Sequence, residues 1–166
     1  MKNTFYSTFS DMKYFCFLLL TMSNASCDEA SSNDDLVDQT SIGADVTNVT
    51  TSGSENAFFF SVTISSPDTG CSQYADWWEV VSESGELIYR RILLHSHVNE
   101  QPFTRSGDAV KITDETIVWV RAHMNNSGYT GHVMKGSIKE GFKVVESPEG
   151  FDDLDAVEPL PTTCAF

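Results

Sequence analysis

The nine residues Ala57–Ser65 constrain the fold more than any other part of the chain. Phe58, Phe60, Val62 and Ile64 alternate with Phe59, Ser61, Thr63 and Ser65. A period of two puts the first set on one face of a strand and the second on the other. Ser66-Pro67-Asp68-Thr69-Gly70 then ends the run with residues disfavoured in a strand interior. Similar short segments follow at 74–82, 87–94, 108–112, 116–124 and 131–139, and a weaker one precedes them at 44–50. Gly, Asn, Ser or Asp separates each pair; Ser84-Gly85, for example, supplies a hairpin turn between 74–82 and 87–94. No segment carries a sustained 3.6-residue repeat. Half-buried strands of this kind bury their apolar faces only by stacking sheets, so the expected fold is all-β. It is an immunoglobulin-like or fibronectin type III-like sandwich of about seven strands, with a Trp on the third.

Charge and aromatic content narrow the class. The chain has 166 residues with 10 Lys+Arg against 24 Asp+Glu, and its 11 Phe, 3 Trp and 5 Tyr are too many for an acidic disordered chain. Its formal charge of −14 repels nucleic acid and anionic lipid surfaces. The acids gather in two flanks, 28–56 and 144–166, neither of which holds a base. Domain boundaries follow: a signal peptide over 1–27, an acidic flexible tether over 28–43, the sandwich over 44–139, and an acidic C-terminal strap over 140–166.

Lys13, the apolar stretch 14–22 and the small polar residues up to Cys27 have the layout of a secretory signal, with Met12 an alternative start to Met1. Two processing routes fit. Cleavage after Ala25 would release a secreted chain. Asn24-Ala25-Ser26-Cys27 is instead similar to a bacterial lipobox, which would acylate Cys27 and make an N-terminal lipid the chain's sole membrane attachment. Cys16 leaves with the signal, so Cys27, Cys71 and Cys164 remain. Lipidation of Cys27 leaves Cys71 and Cys164 as one disulfide, with no thiol over. The strap is long enough to return from the far end of the sandwich to Cys71. Phe142, Val144, Val145, Phe151, Leu154, Val157 and Leu160 give it apolar groups to lay against the domain, and residues 152–155 form a helical turn.

Strand order predicts where the chemistry gathers. The start of strand 74–82, the end of 87–94 and the end of 116–124 share one end of an antiparallel sheet. His95, His97, His123 and His132 then meet Cys71 at that rim. Imidazole and thioether are ligands for copper, and imidazole for zinc, so His95, His97, His123 and Met124 form the expected metal set. Glu100 stands near them as a carboxylate. A second candidate lies on the outer sheet face. There Trp77, Trp119 and Arg121 would form an exposed platform suited to a glycan or protein at the cell surface. Gly-x-Ser-x-Gly, P-loop, His-Glu-x-x-His and dinucleotide fingerprints are all absent. The expected function is therefore a non-catalytic, monomeric binding module with no obligatory cofactor, and a copper or zinc binder is the alternative.

The stretch from Ser65-Ser66-Pro67-Asp68-Thr69-Gly70 through Trp78-Glu79-Val80-Val81, together with the run His95 to Ser106, resembles uncharacterised exported proteins of Gram-negative bacteria. His-x-His-x3-Gln-Pro-Phe-Thr-Arg-Ser is the most specific part, and the likeness covers residues 57–138. It implies an exported β domain of the periplasm or cell surface and no reaction.

Overall fold

A computed structural model describes residues 42–148 and 150–165. The expected signal peptide, Cys27 and the expected tether as far as residue 41 lie outside the described residues. Eight strands follow in order: β1 (Asp45–Ser54), β2 (Ala57–Ser65), β3 (Ala75–Ser82), β4 (Leu87–Ile92), β5 (Phe103–Ser106), β6 (Val118–Met124), β7 (Val133–Ser137) and β8 (Gly141–Val145). A short 3-10 helix, Asp152–Ala156, comes after them. The strands form two antiparallel sheets, β1-β2-β5 and β4-β3-β6-β7-β8. This is the expected all-β sandwich.

The alternation in β2 sets the core. Phe58, Phe60, Val62 and Ile64 are buried, while Phe59 is 45% exposed. Opposite them lie Trp78 and Val80 of β3 and Val118, Val120, Ala122 and Met124 of β6. Burying a side chain of this size contributes about 1.5–3 kcal/mol, so this double layer is the main source of stability.

Two segments depart from the expected strands. The strand expected at 108–112 forms instead at Phe103–Ser106, where Val62 pairs with Arg105 and Ile64 with Phe103. Val110 and Ile112 are still buried, but Val110 makes only a single bridge, to Phe58. They act as plugs rather than as a ladder. The domain also runs past 139, because β8 pairs with β7 through a tight turn that Gly141 enters at φ 79°. The strap therefore begins only after Val145.

From there the chain crosses the outer face of the five-stranded sheet. The Phe151 ring stands edge-on to Trp119, with centroids 6.2 Å apart. It also fills the space above Gly85, where a Cβ would come within 2.8 Å of it. At the end of the strap the Ala165 N–H donates to Leu94 O at 2.6 Å, and Cys164 is bonded to Cys71.

Candidate functional site

The outer face of the large sheet is the more charged of its two faces, and its centre, over β4, β3 and β6, is occupied. Cross-strand register places Trp77 opposite His123 and Glu79 opposite Arg121 on one side, and Glu79 opposite Arg90 on the other. Glu79, 0% exposed, receives Arg90 Nε and Arg121 Nε, each at 2.8 Å. One carboxylate thus pairs with two guanidiniums in the dry interior, where an unpaired charge costs several kcal/mol. Other guanidinium hydrogens reach the strap backbone and the Tyr129 hydroxyl, while Arg121 Nη1 is buried with no hydrogen-bond partner. Arg90 donates to the carbonyls of Leu154 (2.6 Å), Val157 and Pro159 (3.2 Å), and Arg121 to Phe151 O (2.7 Å). Aromatic rings complete the clamp. Arg90 lies over Trp77 at 4.4 Å and Arg121 over Tyr129 at 3.5 Å. Burial pushes the Tyr129 hydroxyl well above its usual range, so it stays protonated.

This arrangement corrects the expected platform. The alternation that turned Trp77 outward holds, but Trp77 is 3% and Arg121 0% exposed, and Trp119 is half-buried. The strap is held over this face because its backbone carbonyls accept from both arginines.

The histidines do not all meet either. His123 Nδ1 is 2.6 Å from Asp76 Oδ1, and its ring stacks on Trp77 at 3.6 Å. Burial raises the Asp76 carboxyl pKa, an effect opposed by the hydrogen bond from His123. His132 pairs with Asp45 at 2.9 Å. Met124, 0% exposed, is a core residue, because the alternation that carries Val118, Val120 and Ala122 inward carries it too. Of the expected metal set, the structure brings together His95 and His97, and it adds Glu100. Their candidate ligand atoms all lie within 4.8 Å of one another.

The loop that carries this trio is built by Asp68. Its carboxylate accepts from the backbone N–H groups of His97 (2.7 Å) and Ala75 (3.0 Å) and from the Ser66 hydroxyl (2.7 Å). Gln101 closes the loop, accepting from Ser66 N at 2.9 Å and donating to His97 O at 3.2 Å. The two sequence stretches behind the resemblance, 65–81 and 95–106, therefore meet in one hydrogen-bonded network. His97 lies flat on Phe103, centroids 3.7 Å apart, and near His95 at 4.5 Å. Burial, with Arg105 and His95 nearby, lowers its pKa, so the ring is neutral near pH 7.

A protein of the archaeon Halomicrobium mukohataei, named "Putative lipoprotein", is 40% identical over 117 residues, covering 68% of this chain. The match spans 58% of that protein's length. Its archaeal origin gives no support to a Gram-negative source. No family model and no solved structure matches the chain.

Sequence reasoning missed Glu79, Arg90, Tyr129 and Asp68. A signal for the first was present, since a carboxylate inside Trp77-Trp78-Glu79-Val80-Val81 has apolar neighbours on both sides and needs a buried partner. Asp68 looked like an ordinary turn residue.

Proposed function

We propose that this chain is an exported, lipid-anchored and non-catalytic binding module held on the outer side of a cell membrane. The observation that carries the reading is the Cys71–Cys164 bridge. Disulfides persist in oxidising compartments outside the cytosol. The bridge uses two of the three cysteines beyond the signal and leaves Cys27, at the end of the lipobox-like run, as the one available for acylation. The name of the archaeal relative supports the same reading. The acidic stretch after Cys27 serves as the tether, and the binding surface is the loop end around residues 94–101, because the strap covers the alternative face. Leu94 and Val98 are exposed there.

Detergent phase partition of the full chain made in an exporting host tests this. Wild type is expected in the detergent phase and Cys27→Ser in the aqueous phase. Wild type found in the aqueous phase contradicts the anchor.

A further inference from the structure

We propose that His95, His97 and Glu100 form a binding site for one divalent transition-metal ion of the imidazole-preferring class, zinc or copper(II). The inference does not rest on the lipid anchor. Both ring nitrogens of His97 are buried with no hydrogen-bond partner, although its side chain is only 1% exposed. A neutral imidazole carries one donor and one acceptor, and leaving both unmade in a dry environment is unfavourable. A bound ion relieves that cost at the nitrogen it takes. The ring is already held in place by Phe103, and its backbone by Asp68 and Gln101.

Asp68 Oδ2 lies 3.9 Å from His97 Nδ1. That is beyond hydrogen-bond distance, so Asp68 positions the His97 backbone rather than its ring and leaves a ring nitrogen free to take the ion. His95, two residues away, supplies the second imidazole from the exposed side. Arg105 holds Glu100 Oε2 at 2.7 Å and leaves the other oxygen to ligate. Ligand atoms about 2.1 Å from a tetrahedral ion stand about 3.4 Å apart. The trio, within 4.8 Å, therefore closes by small rotations. The movement falls on His95 and on Glu100, whose side chain is 60% exposed, while the buried His97 stays fixed. Three protein ligands beside an open cavity of about 310 Å³ leave a fourth position for water.

Calorimetric titration of the untagged full chain in detergent with zinc chloride, and separately with copper(II) chloride, tests the site. One ion per chain is expected. His95→Ala, a change at an exposed position, lowers the affinity by more than about 100-fold, beyond what an outer-shell change costs. Glu100→Gln weakens it by a smaller factor. Electron paramagnetic resonance of the copper form reports on His97 without mutating a buried residue. Coupling to two imidazole nitrogens is expected in wild type and to one in His95→Ala. Absence of binding in wild type overturns the proposal, as does binding unchanged in His95→Ala, or lost instead in His132→Ala. Calcium chloride bound as tightly as zinc also overturns it, because it marks a mere acidic surface.

Discussion

Glu79 shows how much of this protein's outer face depends on single charges. It is the only carboxylate that pairs with Arg90 and Arg121 among the described contacts, and all three side chains are 0% exposed. Glu79→Gln leaves two guanidiniums buried beside a neutral amide, and the expected cost is about 3–5 kcal/mol. Urea unfolding measures it, and a loss under about 1 kcal/mol would show that the arginines find other partners. At this scale the sequence was half legible. The direction of Trp77 followed from alternation, because it depends only on backbone period. Its burial did not, because that depends on Arg90, His123 and Tyr129 packed against the ring, and on strap carbonyls more than 70 positions away that hold Arg90. Likewise His95-x-His97 announced a pair of rings, but nothing local announced that Asp76 would take His123.

At the scale of elements, strongly alternating strands were readable and weakly alternating ones were not. β2 matches its expected bounds, and β3 and β6 start one and two residues late. Phe103–Ser106 has only four residues and follows a proline, so its apolar content was too small to outweigh the Val110/Ile112 pair. β8 is hard to tell from the strap in sequence because the run holding Phe142, Val144 and Val145 is short and weakly alternating. The strap itself is an element held at two places, by the arginines along its middle and by Cys164 at its end. In the chain-entropy picture, a bridge across 93 positions is worth about 4–5 kcal/mol. Cys164→Ala is expected to lose up to that much and to open residues 146–163 to limited proteolysis. Equal protease resistance in the two proteins would mean that the arginines suffice to hold the strap.

Among the described residues, the sandwich has one face covered in its middle by the strap and an open loop end. Most of the chain's net negative charge comes from residues 28–56 and 144–166, while 57–143, with eight bases and ten acids, supplies every strand but β1 and the end of β8. The strap covers the outer face over β3, β4 and β6, and the histidine loop that Asp68 organises, residues 95–101, stands open at one end. Fold class and the Cys71–Cys164 pairing were legible because they follow from period, length and cysteine count. The membership of the histidine cluster was not, because strand topology places residues at one end of a sandwich without bringing their side chains within bonding distance. The claim beneath this account is that the domain matures outside the cytosol, on a lipid carried by Cys27. Intact mass spectrometry of the chain recovered from membranes of producing cells tests it most directly. The account predicts a mature chain beginning at acylated Cys27 and lacking the two hydrogens removed by the Cys71–Cys164 bond. An unacylated chain, or one with Cys71 and Cys164 both as free thiols, would contradict it.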